Sequence, residues 1–83
     1  MKLTNNCIKY LKEELEKLKL NTVELHIMYN CCTPGLSFHI GFINSNDYIT
    51  IDGINFKIDK AFEKEIENLL IDYKNNMFYF NEI

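Results

Sequence analysis

Apolar residues at the start of the chain recur at the three- and four-residue spacing of an amphipathic helix. They are Leu3, Cys7, Ile8, Leu11, Leu15 and Leu18, and Lys and Glu fill most of the positions between them. Thr4 is a residue type that caps helix N-termini, and Asn21 can end a helix in a left-handed conformation. The pattern predicts a helix over residues 5–20.

After the helix, the spacing of apolar residues changes to strict alternation. Residues 23–29 and 36–42 each place an apolar residue at every second position, which is typical of a half-buried strand. The residues between them, Asn-Cys-Cys-Thr-Pro-Gly, form a loop whose Pro34-Gly35 suits the centre of a type II turn. We therefore expect a hairpin whose connecting loop carries two adjacent cysteines.

The numbering of the apolar positions also predicts how these two strands pair. The apolar residues are odd-numbered in the first strand and even-numbered in the second. Paired residue numbers must then sum to an odd value if both apolar sets share one face. The tightest register of this kind pairs Tyr29 with Leu36, Ile27 with Phe38, and His26 with His39.

The second half of the chain predicts a further hairpin, a short helix and two closing strands. Asp52-Gly53 is a strong two-residue hairpin sequence, Asp59 can cap a short helix, and residues 74–76 suit a turn. The predicted elements are strands over residues 48–52 and 54–58, a helix over 60–67, and strands over 69–73 and 77–80. We find no internal repeat, and we expect a single α+β domain over residues 1–83.

Composition and charge exclude several classes of function. The chain has a formal net charge of −3, and all of its nine basic residues are Lys. Without Arg or a basic stripe, nucleic acid is not an expected partner. No apolar run approaches the roughly 20 residues that span a bilayer, and the first residues do not resemble a signal peptide. We expect a cytoplasmic protein, and the abundance of Lys, Asn and Ile suggests a bacterial source.

The cysteines carry the only concentrated chemistry. There are three cysteines, of which Cys31 and Cys32 are adjacent. A disulfide between neighbours is strained, because consecutive Cα atoms lie about 3.8 Å apart and disulfides prefer about 4.4–6.8 Å. Such a bond is easily reduced, which suits redox cycling. Thiolates also bind zinc, copper(I) and iron, and the third alternative is that the thiols are incidental.

Other polar residues take lesser roles in this interpretation. A closed metal site needs two ligands beyond Cys31 and Cys32, and a second protomer or the paired His26 and His39 could supply them. Cys7 lies on the apolar face of the predicted helix and is expected in the core. Asp72 is expected to be a structural carboxylate that accepts backbone hydrogen bonds.

Four short segments occur in an order that matches a known family. They are Leu3-Thr4, the Cys-Thr-Pro-Gly-Leu-Ser-Phe of residues 32–38, the Gly-Ile-Asn-Phe-Lys-Ile-Asp of residues 53–59, and Ile71-Asp72-Tyr73 followed by Phe78-Tyr79-Phe80-Asn81. In this order they resemble the HesB-like family, which includes the A-type iron–sulfur carriers. The Cys31-Cys32 pair resembles a subgroup that carries Cys-Cys or Cys-selenocysteine there. Within these 83 residues, Asn81 is not followed by the Cys-x-Cys tail of the carriers.

The resemblance implies a compact β-rich fold of two small, mostly antiparallel sheets, with an N-terminal helix and a second short helix. It also implies a role in the assembly or trafficking of iron–sulfur clusters. Cys31 and Cys32 would then bind iron, a cluster or another soft metal, in a protein that is not itself an enzyme. The alternatives are a thiol redox protein that cycles through the pair, and a scaffold for a protein partner. The expected partner is a protein of iron–sulfur or thiol redox metabolism, and in a homodimer a second protomer could donate its own cysteine pair.

Overall fold

The N-terminal helix forms where the apolar spacing predicts it. The structure is a computed structural model that describes residues 1–32 and 35–82. Helix α1 spans Asn5–Leu18, and the Thr4 side chain accepts a hydrogen bond from the Cys7 N–H at its N-terminus. The helix ends earlier than predicted, because Lys19 and not Asn21 takes the left-handed conformation, with φ of 57°.

A four-stranded sheet contains both predicted hairpins. Its strands are β2 (Thr22–Tyr29), β3 (Leu36–Ile43), β4 (Ile49–Ile51) and β5 (Ile54–Ile58), in the order β3-β2-β5-β4. The predicted β2–β3 register is confirmed at all three pairs, including His26 opposite His39. Asp52 and Gly53, with φ of 52° and 82°, form the turn between β4 and β5.

A three-stranded sheet closes the fold. It consists of β1 (Lys2–Leu3), β6 (Leu69–Lys74) and β7 (Met77–Glu82), in the order β1-β6-β7. Strand β1 was not predicted, because two residues are too few to show alternation. It pairs in parallel with β6, as β2 does with β5, while the three pairings between β2 and β3, β4 and β5, and β6 and β7 are antiparallel.

The second helix is shorter than the sequence predicts. A 3₁₀ helix spans Lys60–Phe62, capped by Asp59, and residues 63–68 continue as hydrogen-bonded turns. The Ile66 N–H donates to the Phe62 carbonyl at 3.2 Å, and the Leu69 N–H donates to the Ile66 carbonyl at 3.1 Å. Such mixed three- and four-residue bonding lets the chain turn directly into β6, so the predicted helix over residues 60–67 was too long.

The core lies where α1, the two sheets and the turn segment meet. Its buried members are Leu3, Cys7, Leu11, Val23, Leu25, Ile27, Ile54, Phe56, Ile66, Leu69 and Ile71. The apolar residues of β3 are only half-buried, although they face the same side of the sheet. No helix in residues 1–32 and 35–82 is long and apolar enough to cross a membrane.

Asp72 is the structural carboxylate that the sequence predicts. The Thr4 hydroxyl, which caps α1, donates to Asp72 Oδ1 at 2.6 Å, and the Tyr73 N–H donates to the same oxygen at 2.8 Å. The hydrogen bond from Thr4 lowers the pKa of Asp72. The Tyr73 N–H and the charge of Lys74 act in the same direction, and partial burial opposes them. This carboxylate therefore connects the start of the helix to the middle of β6.

The lowered pKa of Asp72 predicts a pH-dependent contribution to stability. A carboxyl group whose folded pKa is depressed stabilises the fold above its unfolded pKa, and this stabilisation is lost as pH falls through the folded pKa. We expect Asp72→Asn to lower the free energy of unfolding at neutral pH and to differ progressively less from the parent below pH 3.8. Urea unfolding at several pH values measures this difference. Glu65→Gln, at an exposed position, is the charge-matched control, and a pH-independent deficit in Asp72→Asn would contradict the interpretation.

Candidate functional site: the vicinal thiols

The two adjacent cysteines lie at the tip of the β2–β3 hairpin. The Asn30 N–H donates to the Gly35 carbonyl at 3.1 Å, which closes the loop directly after β2. The Ser37 hydroxyl also donates to Asn30 Oδ1. Gly35 has φ of 120°, a conformation that other residues rarely adopt. The loop therefore has a defined base, from which Cys31 and Cys32 project.

Cys31 and Cys32 are free, exposed and in contact with each other. Their sulfur atoms are 3.3 Å apart, so that one thiol can donate a weak hydrogen bond to the other. Both sulfurs can be reached by a metal ion, an oxidant or another thiol. The predicted type II turn at Pro34-Gly35 includes residues 33 and 34, which lie outside the described residues.

Two large apolar side chains flank the thiol loop. Tyr29 is 71% exposed and packs against Phe62 of the 3₁₀ helix, with ring centroids 5.5 Å apart. Met28, on the opposite face of β2, is 54% exposed. The Tyr29–Phe62 contact braces the end of β2, which carries the loop, against the chain that follows β5.

The histidines form a second pair, separate from the thiols. His26 and His39 lie directly opposite each other on β2 and β3, and both are exposed. His26 Nε2 lies 2.6 Å from Glu24 Oε1. His26 precedes Tyr29 by three positions along β2, which places it about 10 Å from the start of the loop. The structure therefore brings each predicted pair together but does not bring the histidines to the thiols.

Cys7 does not belong to the site. It is fully buried in the core on α1, and burial, with a smaller contribution from Asp72, raises its pKa to about 12. A thiol with so high a pKa is neutral and unreactive at physiological pH. The expectation that Cys7 is a core residue is confirmed.

The donor chemistry suits a soft metal, but one chain supplies only part of a closed site. Thiolates favour zinc, copper(I) and iron, and structural zinc and iron–sulfur sites take four ligands. Among the described residues, no group of three or more His, Cys, Asp or Glu side chains is placed to hold a metal ion. Any metal held by Cys31 and Cys32 therefore needs ligands from outside this part of the chain.

The sequence did not reveal the residues that shape the site. From the sequence, Asn30 is an ordinary loop residue and Ser37 an ordinary strand residue. The hydrogen bond between them shows that they hold the base of the loop. The only sequence feature that indicates their role is their position, immediately before the cysteines and two residues after Gly35.

A groove of about 370 Å³ was also not predicted. Phe56 and Ile66 lie among its lining residues, with Lys57, Asp59 and Lys60.

Comparisons with known proteins define the class of fold. Neither a protein-family model nor a curated protein matches this sequence. The crystal structure of Escherichia coli SufA, a protein involved in the biosynthesis of iron–sulfur clusters, superposes with a TM-score of 0.79 at 18% identity. The match covers 98% of this chain and 78% of SufA. A solution NMR structure of an Aquifex aeolicus protein superposes with a TM-score of 0.71 at 15% identity, covering 100% of this chain and 91% of that one. The predicted HesB-like fold is confirmed.

Proposed function

We propose that this chain is a HesB-like thiol protein that acts in the assembly or trafficking of iron–sulfur clusters. The observation that carries this proposal is a pair of exposed, free sulfur atoms 3.3 Å apart at the tip of a braced hairpin. The fold shared with SufA, which is involved in iron–sulfur cluster biosynthesis, supports the same function. Iron, a cluster or another soft metal is the cargo, and Cys31 and Cys32 are its ligands.

The number of thiolates shapes the mode of binding. Two thiolates per chain leave about two positions of a four-ligand site open. A second copy that contributes its own Cys31 and Cys32 completes an all-thiolate site, and a partner protein that accepts or donates the cargo can do the same. Open positions suit transfer, because an incoming thiolate can bind before the outgoing one leaves. The partner is then a protein of iron–sulfur metabolism, the location is cytoplasmic, and the chain is not an enzyme.

Metal and sulfide analysis of the protein purified without oxygen tests this function. We expect about one metal ion, or one cluster, per two chains, because four thiolates complete the site. Iron with acid-labile sulfide and a visible absorption spectrum would identify a cluster, and zinc or iron without sulfide that is lost in Cys31→Ser/Cys32→Ser would identify a mononuclear thiolate site. Protein that contains neither metal nor sulfide, and takes up neither on reconstitution, would overturn the proposal.

A second candidate function, thiol redox exchange, is favoured by the proximity of the two sulfurs. One thiolate attacks the disulfide of a partner protein, forms a mixed disulfide and releases one partner thiolate. The neighbouring thiolate then attacks the mixed disulfide, which gives a Cys31–Cys32 disulfide and releases the second partner thiol. Two electrons pass to the partner disulfide, which is reduced to two thiols.

Titration in glutathione redox buffers distinguishes this function from metal binding. A strained, exposed disulfide should have a potential less negative than about −230 mV, and its formation removes two hydrogens from the mass of the chain. Cys31→Ser should abolish the intramolecular disulfide while leaving Cys32 able to form a mixed disulfide with glutathione. Formation of mixed disulfides only, in the parent protein, would exclude this alternative. If the double variant Cys31→Ser/Cys32→Ser retained every cellular role, a scaffold with incidental thiols would be favoured.

A further inference from the structure

Strand β3 is an edge strand without the usual protection. It lies at one end of the four-stranded sheet and spans eight residues, Leu36–Ile43. Natural edge strands are commonly protected by charge, by proline or by shortness. Strand β3 has no Lys, Arg, Asp, Glu or Pro, whereas β4, at the other end of this sheet, has only three residues.

The side chains of β3 also remain incompletely buried in the single chain. Leu36, Phe38, Ile40 and Phe42 face the core side of the sheet but are only half-buried. Phe38 stacks on Phe80 of the other sheet, with ring centroids 4.9 Å apart, so this row is ordered by packing. A further strand beside β3 would cover the exposed part of the row.

The backbone groups that face the open edge follow from the hairpin. The Asn30 N–H donates to the Gly35 carbonyl, so this pair is hydrogen-bonded. Hydrogen-bonded and non-hydrogen-bonded pairs alternate along an antiparallel ladder. Ser37, His39 and Gly41 therefore bond to β2, and the even-numbered residues of β3 direct their N–H and C=O groups towards the open edge.

We propose that a second copy of this chain docks on this edge, with the two β3 strands antiparallel and His39 of one copy opposite His39 of the other. This interface goes beyond the proposed function. Two copies suit each other because β3 has no formal charge that would repel its own image, and because its apolar row is self-complementary. The paired strands form one continuous eight-stranded sheet about a two-fold axis.

The register follows from parity and from the apolar row. The apolar side chains of the two copies share a face only if paired residue numbers sum to an even value. An even sum also pairs even-numbered residues with each other, and these are the residues whose backbone N–H and C=O groups face the open edge. A sum of 78 pairs Leu36 with Phe42 and Phe38 with Ile40, so that every apolar residue of the row meets another. A sum of 80 would place Leu36 opposite the polar Asn44. The first register is therefore preferred.

The second copy creates a cluster of imidazoles that one chain does not have. The two His39 side chains face each other on the outer side of the sheet in a non-hydrogen-bonded pair, where side chains approach most closely. His26 flanks each of them on β2, and Glu24 holds its Nε2. Imidazoles in this arrangement suit Zn²⁺ or Ni²⁺. A carboxylate bonded to one ring nitrogen leaves the other available to the metal.

The interface is separate from the thiols. In this register the thiol loops lie at opposite ends of the paired strands, roughly 25 Å apart. Association through β3 should therefore persist in Cys31→Ser/Cys32→Ser, whereas association through shared thiolates should not. Failure of the β3 interface leaves the proposed function intact, and failure of the proposed function leaves the interface intact.

Sedimentation equilibrium of Cys31→Ser/Cys32→Ser, in reductant and chelator, tests the interface. We expect a mass about twice the 9.9 kDa of the chain at micromolar concentrations. In this background, His39→Lys places two ammonium groups against each other at the two-fold axis and should weaken dimerisation at least about tenfold. His26→Lys introduces the same charge one strand further in and should change it less than about twofold. A monomeric parent, or equal effects of the two substitutions, would overturn the proposal.

Amide hydrogen exchange identifies the edge directly. In the dimer, the amides of Phe38 and Ile40 should exchange slowly, and in the monomeric His39→Lys variant they should exchange fast. The His39 amide of the parent is the internal control, because its hydrogen bond to β2 protects it in both monomer and dimer. In Cys31→Ser/Cys32→Ser, which lacks the thiol ligands, Zn²⁺ should bind at about one ion per two chains and tighten dimerisation at least about tenfold. His39→Gln in this background should abolish both effects. Unprotected amides at Phe38 and Ile40 in a dimer would place the interface elsewhere. A dimer indifferent to Zn²⁺ would overturn the metal site.

Discussion

Cys31→Ser/Cys32→Ser should abolish the binding of iron or of an iron–sulfur cluster to this protein. Serine keeps the size and polarity of the side chain but replaces the thiolate by a hydroxyl, which does not ionise at neutral pH and is a poor ligand for soft metals. Both cysteines are exposed and contribute nothing to the core, so the fold should be unchanged. Metal content and acid-labile sulfide, measured after anaerobic purification and after reconstitution, give the result.

Two matched controls show whether the loss is specific to this pair. Cys7→Ala removes a thiol from the buried face of α1 and should leave metal content unchanged, although it lowers stability slightly. His26→Gln/His39→Gln removes the exposed imidazoles, which lie on the strands and not at the loop, and should leave the metal at Cys31 and Cys32. Retention of stoichiometric iron or acid-labile sulfide in the double serine variant, or their loss in Cys7→Ala with the fold intact, would contradict the assignment.

The largest loss of stability is expected from Phe56→Ala. Phe56 is fully buried on β5, opposite Val23 of β2 on one side and Ile49 of β4 on the other. Removing a buried aromatic ring usually lowers the free energy of unfolding by about 3–5 kcal/mol, because apolar contacts are lost and a cavity remains. A domain of this size has only about 4–12 kcal/mol in total, so the variant should be marginally stable.

Urea unfolding followed by circular dichroism measures this loss. Phe62→Ala is the matched control, because Phe62 is a half-buried phenylalanine that contacts the exposed Tyr29. We expect Phe62→Ala to lower the free energy of unfolding by less than about half as much as Phe56→Ala. Equal losses in the two variants would show that Phe56 does not hold the centre of the four-stranded sheet.

Local patterns were sufficient to predict most of the elements. The helix and the β2–β3 register follow from spacing and parity, because side-chain periodicity reports directly which face is buried. Asp52-Gly53 predicted its hairpin correctly, since few residues tolerate the positive φ that a two-residue turn requires. The predicted helix over residues 60–67 was too long, because periodicity over two turns does not separate a helix from successive turns.

The parallel pairings could not be obtained in this way. β1 pairs with β6, and β2 with β5, across long separations along the chain. Each of these pairings depends on which apolar faces meet in the core. The alternation within one strand does not identify the strand that lies beside it. The capping of α1 shows the same limit, since Thr4 was predicted as the cap but its bond to Asp72 joins residues 68 apart along the chain.

For the site, the sequence alone determined that Cys31 and Cys32 are adjacent. It also predicted that they lie in a hairpin loop, in a chain that resembles the HesB-like family. Adjacent positions in the chain are fixed by the covalent structure. The alternating apolar residues on both sides of residues 30–35 place these residues between two strands. Only the tertiary structure decided that His26 and His39 pair with each other away from the thiols, and that Asn30 and Ser37 hold the base of the loop. Distances between side chains on different strands depend on packing of the whole core, which no local pattern encodes.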